Sequence, residues 1–184
     1  MGQEDGAAHP GKAPRFGAGM IRKIFFHPER CLMCLSCVLS CQLNSLGTRD
    51  VRCLPPGKPL KRISPVFCRG TPWMWKCQQC SQAPCAEACI SGSLRPKEGG
   101  KGVEHRSETC VGCGSCLLAC PLSIPALDGE GERMSKCDLC QEEPIPPCVK
   151  ACQSQALVFQ EVSRFSWGKK RRYLLQSRGT DEPG

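Results

Sequence analysis

Apolar positions along this chain fall in short runs separated by cysteine-rich loops. Ile21-Arg-Lys-Ile-Phe-Phe26 reads as a short strand. Before it, residues 1–19 are rich in Gly, Ala and Pro without any periodicity, which predicts a disordered tail and a compact part beginning near Met20. Ser93-Leu-Arg-Pro96 and Val103-Glu-His-Arg106 read as two short strands around the glycine turn Lys97–Gly102. Ala156-Leu-Val-Phe-Gln160 reads as a strand able to pair with the one at 21–26. The insertion 42–76 holds Pro55, Pro56, Pro59, Pro65 and Pro72, so a regular helix is excluded and an irregular wrap is expected, with Trp73 and Trp75 as its packing anchors. The stretch 163–184 is basic and ends in Gly-Thr-Asp-Glu-Pro-Gly.

What repeats along the chain is a unit of cysteine loop, short helix ending at a fourth cysteine, and strand or hairpin. Sixteen of the eighteen cysteines fall into four such quartets: Cys31, Cys34, Cys37, Cys41; Cys77, Cys80, Cys85, Cys89; Cys110, Cys113, Cys116, Cys120; and Cys137, Cys140, Cys148, Cys152. All four end in a cysteine, three residues and a cysteine. The first and third have the spacing C-x2-C-x2-C-x3-C, and the third runs on into Pro121, the pattern that wraps [4Fe–4S] clusters in bacterial ferredoxins. The second and fourth differ by longer middle gaps.

Composition narrows the chemistry. The 184 residues are 5% aromatic, and cysteine itself is counted among the 40% hydrophobic, so a large apolar core is not expected and the fold needs a staple. Disulfides are disfavoured: the first 30 residues lack a secretory signal pattern and a twin-arginine pair, which predicts a cytoplasmic protein, or one peripheral to the inner face of the membrane through a partner. No apolar run approaches the roughly 20 residues of a membrane span. Zinc is the rival metal, yet structural zinc sites use two separated pairs, whereas here three cysteines plus a fourth recur four times. Four oxidised clusters with their thiolates would bring roughly −8. That charge offsets the formal +8 of the chain and removes the electrostatic case for nucleic acid. Lys169-Lys-Arg-Arg172 reads as a solvated charge run, with one adjoining aromatic, Tyr173.

Two-residue gaps let one tight loop reach three corners of a cube, while the fourth cysteine, on a short helix, points away. In two-cluster ferredoxins that fourth cysteine ligates the neighbouring cluster, so motifs interlock in pairs. Beyond the bare cysteines stand Trp75-Lys-Cys-Gln-Gln-Cys80 with Ala83-Pro-Cys85, Glu108-Thr-Cys-Val-Gly-Cys-Gly-Ser-Cys116 with Ala119-Cys-Pro121, and Lys136-Cys-Asp-Leu-Cys140 with Pro147-Cys-Val149. Over residues 20–160 the chain resembles the ferredoxin-like electron-transfer subunits with four [4Fe–4S] clusters. Those subunits partner molybdenum or tungsten pterin oxidoreductases, formate-linked hydrogenases and carbon monoxide dehydrogenase.

The resemblance implies an α+β, duplicated bacterial-ferredoxin-like dicluster fold. Its outer module would comprise 20–76 plus 131–162 and its inner module 77–130. It further implies that the first and fourth motifs pair, and the second and third. One cluster would take Cys31, Cys34, Cys37 and Cys152, and its neighbour Cys137, Cys140, Cys148 and Cys41. The inner two would take Cys77, Cys80, Cys85 with Cys120, and Cys110, Cys113, Cys116 with Cys89. The family usually carries proline after the fourth cysteine of the second and last motifs, where this chain has Ile90 and Gln153.

The functional expectation is an electron-transfer subunit that is not a catalyst alone, passing electrons between a catalytic oxidoreductase subunit and an external donor or acceptor protein. There is no GxGxxG after a strand, no P-loop, and no C-x3-C-x2-C that would leave one iron open. A free polyferredoxin is the alternative, and a zinc- or cluster-containing nucleic-acid regulator a third, of a different class. Cys53 and Cys68 lie outside every quartet and read as ordinary small residues of a wrapping loop. His9, His27 and His105 are isolated and read as solvated or packed.

Overall fold

A computed structural model describes residues 21–54, 62–98, 102–127, 132–140 and 143–177, the side chains of 170–177 excepted. The expected tail 1–19 and the centre of the glycine turn at 99–101 fall outside the described residues. Two compact units are present, one spanning Arg22–Gln160 and a smaller one containing Ile21 and the C-terminal helix.

In the larger unit the elements run β1 (Arg22–Phe26), α1 (Ser36–Ser45), β2 (Ile63–Cys68), β3 (Thr71–Lys76), α2 (Pro84–Glu87), β4 (Leu94–Pro96), β5 (Val103–His105), α3 (Ser115–Ala119), β6 (Ala126–Leu127), β7 (Met134–Ser135), α4 (Pro147–Lys150) and β8 (Leu157–Glu161), whose last residue opens the other unit. The described strands pair two by two: β1 with β8, and, antiparallel, β2 with β3, β4 with β5, and β6 with β7. The expected pairing of the first and last strands and the hairpin at 93–106 are therefore present.

Local sequence explains the alternation of helix starts. α2 and α4 open on Pro84 and Pro147, where a missing N–H costs nothing and φ is already helical. α1 and α3 are entered instead through a left-handed residue, Leu35 at φ 61° and Gly114 at φ 76°, which turns the chain sharply between the second and third cysteines. The expectation that each helix ends at its fourth cysteine needs adjustment. α2, α3 and α4 stop one or two residues short, while α1 runs past Cys41 to Ser45, because no glycine or proline intervenes before Gly47 takes φ 65°.

Of the insertion 42–76, residues 55–61, with Pro55, Pro56 and Pro59, lie outside the described residues, and the part 63–76 is not the irregular wrap expected. β2 and β3 form a regular ribbon with Ile63 opposite Lys76 and Cys68 opposite Thr71. Pro65 and Pro72 are accommodated because an isolated two-stranded ribbon has free edges for residues that cannot donate. Trp73 and Trp75 are not its anchors either. Both are largely exposed, and their strand neighbour Met74, with Ile63, is buried. Strand alternation sends successive side chains to opposite faces, so burying Met74 and Lys76 turns the two tryptophans outward.

Two cores result. One joins Ile24, Ile63, Met74, Leu139 and Leu157 to Cys37, Cys137 and Cys148. The other joins Ala83, Leu94, Val103 and Met134 to Cys116. The same local bonds recur in both. His27 N–H donates to Ala156 O as Arg106 N–H donates to Ser93 O, each at 2.8 Å. Leu157 N–H donates to Cys152 Sγ as Leu94 N–H donates to Cys89 Sγ, each at 3.3 Å.

In the smaller unit, the stretch read as a basic tail contains α5 (Val162–Ser177), entered by a bond from Val162 N–H to Ile21 O. Leu, Gln, Lys and Arg are good helix formers, and no proline interrupts the segment. Lys169 Nζ stands 5.1 Å from the Phe165 ring centre. No described helix is long and apolar enough to cross a membrane.

Candidate metal centres

In each quartet the residue two positions after the first cysteine has a positive φ: Met33 54°, Gln79 52°, Gly112 66° and Leu139 68°. Such a residue reverses the loop within one step and turns successive N–H groups to its concave side, the geometry of a backbone anion nest. Glycine fits this at position 112 for a second reason, since a Cβ there would collide with the carbonyl oxygen of Glu132.

The loops bring cysteines together across the chain. Cys31, Cys34 and Cys37 line a cavity with Cys152, Phe26 and Met74. Cys137, Cys140 and Cys148 line one with Cys41. Cys110, Cys113 and Cys116 line one with Cys89, His105 and Met134. Burial raises the Cys85 thiol, and Cys77, Cys120 and Cys80 stand near enough to add to it. The quartet members contiguous in sequence thus separate, with the fourth cysteine of each standing beside the first three of another. A wider open groove between α1 and α4, lined by Leu39, Asn44, Arg49 and Lys150 among others, contains no cysteine and shares Asn44 with the cavity of Cys137, Cys140 and Cys148.

Among the described residues no three Cys, His, Asp or Glu side chains are gathered as one metal ion would need them. The sulfurs stand around a space instead. Burial pushes the Cys37 thiol up to about 11, with Cys152 adding to it, and the Cys116 thiol to about 11, with Cys89 and Cys110 adding. Burial likewise takes Cys41 to about 12 and Cys140 to about 11, and raises Cys148 further still. Free thiols this buried are poor nucleophiles, whereas the same donors suit soft metal corners. Cys34, Cys80 and Cys113 are exposed, so three of the four sets reach the surface at their second cysteine.

Further donors surround the sulfurs. Besides the bonds from Leu94 and Leu157, Met134 N–H lies 3.4 Å from Cys110 Sγ and Asn44 Nδ2 lies 3.7 Å from Cys140 Sγ. Two of the described lysines are buried: Lys76, near Cys137, Cys77 and Cys148, and Lys136, which donates to Val103 O and Cys137 O. Neither forms an ion pair with a carboxylate among the described residues. A buried ammonium without a counter-charge is costly, and a dianionic iron–sulfur cluster is the anion these two would meet. The buried Nε2 of His105 has no hydrogen-bond partner among the described residues and belongs to a side chain lining one cysteine cavity. Gln79 spans two loops, donating to Cys137 O at 2.6 Å and accepting from Val103 N–H at 2.9 Å. Cysteine-lined cavities, inward N–H groups and unpaired buried cations all fit anionic clusters.

Lys76, Lys136, Gln79 and His105 escape a reading of the sequence alone, because their roles depend on burial that no spacing announces. Cys53 and Cys68 are exposed, Cys68 at the tip of the β2–β3 ribbon, and neither lines a cysteine cavity described above. Ile90, where proline was expected, is exposed and leaves the bond from Leu94 to Cys89 in place; at Gln153 the matching bond from Leu157 to Cys152 is also kept.

Comparison with known proteins agrees with this chemistry. The family model of the 4Fe-4S dicluster domain matches residues 71–162. YsaA of Escherichia coli (strain K12) is 32% identical over 156 residues, 83% of this chain and 98% of that protein. The electron transport protein HydN of Escherichia coli (strain K12) is 29% identical over 175 residues, 85% of this chain and 99% of HydN. The formate dehydrogenase-O iron-sulfur subunit of the same organism is 34% identical over 113 residues, 59% of this chain and 38% of that subunit. With half its length matched, its cysteine sets gathered around cavities and buried cations beside them, the chain belongs to the 4Fe-4S dicluster domain family.

Proposed function

We propose that this electron-transfer iron–sulfur protein carries four [4Fe–4S] clusters in an interlocked, duplicated ferredoxin-like fold and relays electrons for a separate catalytic oxidoreductase subunit. The carrying observation is that Cys152 lines the cavity of Cys31, Cys34 and Cys37, far from it in sequence. The ligand sets are Cys31, Cys34, Cys37, Cys152; Cys137, Cys140, Cys148, Cys41; Cys77, Cys80, Cys85, Cys120; and Cys110, Cys113, Cys116, Cys89. The outer module is 20–76 with 131–162 and the inner module 77–130, with α5 beyond them.

When bound, [4Fe–4S] clusters supply one-electron transfer with little rearrangement. The chain supplies the order. α1 and α4 carry Cys37 with Cys41 and Cys148 with Cys152 or its flank, linking the first set to the second. Cys77 is among the charged neighbours of Cys137, linking the second to the third. Residues on and just after α2 and α3 link the third to the fourth. The result is a line of four, with Lys76 near its middle junction and exposed Cys34 and Cys113 at its ends.

The chain spans nearly all of HydN, an electron transport protein, and a smaller share of a formate dehydrogenase iron-sulfur subunit. A formate dehydrogenase type of catalytic partner is the reading these favour, and a hydrogenase or carbon monoxide dehydrogenase type shares the same relay chemistry. The test is metal analysis of anaerobically prepared protein, with about 16 iron atoms and equal sulfide expected. Stoichiometric zinc without sulfide would overturn the reading. Purification from the native host separates the partnered from the free form: the relay reading expects a stoichiometric catalytic subunit, and a lone chain supports a free polyferredoxin.

A further inference from the structure

The two ends of the proposed line share a backbone plan, and one of the positions at which they differ is an aromatic ring. β1 ends at Phe26, followed by His27, whose N–H donates to Ala156 O. β5 ends at His105, followed by Arg106, whose N–H donates to Ser93 O. The matching bonds from Leu157 to Cys152 and from Leu94 to Cys89 complete the correspondence. Phe26 lines the cavity of Cys31, Cys34, Cys37 and Cys152. His105 occupies the corresponding place in the cavity of Cys89, Cys110, Cys113 and Cys116.

An apolar ring at this place needs nothing, but an imidazole does. Nε2 of His105 is buried and has no partner among the described residues, a costly state unless something in the cavity bonds it. The lining also holds Ser91 and Ser93, whose hydroxyls are engaged with Cys89 Sγ and Arg106 O, and Met134, whose thioether is a weak acceptor; none of them bonds Nε2. When loaded, the cavity would add the sulfurs of the cluster as acceptors.

We propose that His105 donates its Nε2–H to a sulfur of the cluster held by Cys89, Cys110, Cys113 and Cys116, and that this bond, absent at the Phe26 end, makes that cluster easier to reduce. This rests on the cluster assignment above. A hydrogen bond to cluster sulfur stabilises the more negative, reduced form, so its loss lowers the potential. His105 is a positioning and tuning residue, not a ligand. The asymmetry gives the line a direction, with an electron favoured at the His105 end relative to an otherwise similar site at the Phe26 end.

The test uses the full chain, loaded anaerobically, with iron and sulfide measured for every sample. EPR-monitored redox titration of His105→Phe should show one midpoint of four falling by about tenfold in the reduction equilibrium, 59 mV for one electron. His105→Gln, which keeps a donor, should recover most of that shift. Phe26→His should raise a different midpoint. Pulsed EPR of the wild type with ¹⁵N-histidine should show a weakly coupled histidine nitrogen on one cluster, lost in His105→Phe. Four unchanged midpoints in a fully loaded His105→Phe protein, equal shifts in all four, or no histidine coupling in the loaded wild type would overturn the proposal. The last result would mean that Nε2 bonds water instead. Should His105→Phe fail to load, the wild-type coupling decides. A wild type lacking iron at this cysteine set would refute the cluster assignment, a separate failure.

Discussion

Lys136 Nζ donates to the carbonyl oxygen of Val103 at 2.8 Å, tying the segment before the fourth quartet to β5. The same ammonium reaches Cys137 O at 3.3 Å, and Lys136 is 3% exposed. Its charge is among those acting on Cys85, in the proposed third set. Removing it should destabilise the reduced form of that cluster. Lys136→Met is expected to lower one inner midpoint by about 60–120 mV, from a charge interaction of roughly 1.4–3 kcal/mol in a partly screened interior. EPR-monitored titration checks this, and unchanged inner midpoints would remove Lys136 from the electrostatics of the line.

Much of this was legible in the sequence, and the reason is coordination. The cysteine spacing has to match a rigid guest, so the positions of the sixteen proposed ligands are written directly into the chain, as are the strands that follow the second and fourth quartets. What the sequence concealed depends on burial. Trp73 and Trp75 looked like anchors by size, yet the period of β3 sends Met74 and Lys76 inward instead. Nothing in the spacing marks Lys76 and Lys136, since lysine is usually exposed and their burial is set by the fold. His105 read only as solvated or packed, because its place in a cavity assembled by separate loops has no signature in the spacing.

Gly102 has φ 114°, and a Cβ there would collide with the side chain of Gln79. That side chain is 2% exposed and bridges Val103 to Cys137, so it has no room to yield without breaking a bond. Gly102→Ala should therefore cost about 2–4 kcal/mol, from backbone strain plus a lost buried hydrogen bond. Denaturant unfolding under anaerobic conditions measures it. Wild-type stability in the variant would show that Gln79 is not the bridge described.

Cys53 follows a residue pinned to Asp50 and Cys68 sits at a ribbon tip, both exposed and away from the cysteine cavities. Cys53→Ser and Cys68→Ser, singly or together, should retain the iron and sulfide of the wild type and change stability by less than about 0.5 kcal/mol. A missing EPR signal in either variant would give that residue a place in the coordination.

Metal removal should dissolve the fold. Cys37, Cys137 and Cys148 belong to one core and Cys116 to the other, so each core is built partly on proposed ligands. Without clusters, Lys76 and Lys136 would be left buried without an anion. Chelation or oxidative loss of the clusters should abolish cooperative unfolding followed by circular dichroism. A metal-free chain that keeps a cooperative transition would show that the polypeptide supports itself.

The central claim is crossed ligation, and Cys152→Ser tests it most directly. Cys152 shares a cavity with Cys31, Cys34 and Cys37, whereas Cys137, Cys140 and Cys148 share theirs with Cys41. Site-resolved EPR and Mössbauer spectroscopy of Cys152→Ser should show the Cys31 cluster altered or lost and the Cys137 cluster intact, with Cys41→Ser giving the reverse. A Cys152→Ser protein whose Cys137 cluster is altered while its Cys31 cluster is untouched would mean that each contiguous quartet binds its own cluster, contradicting the account.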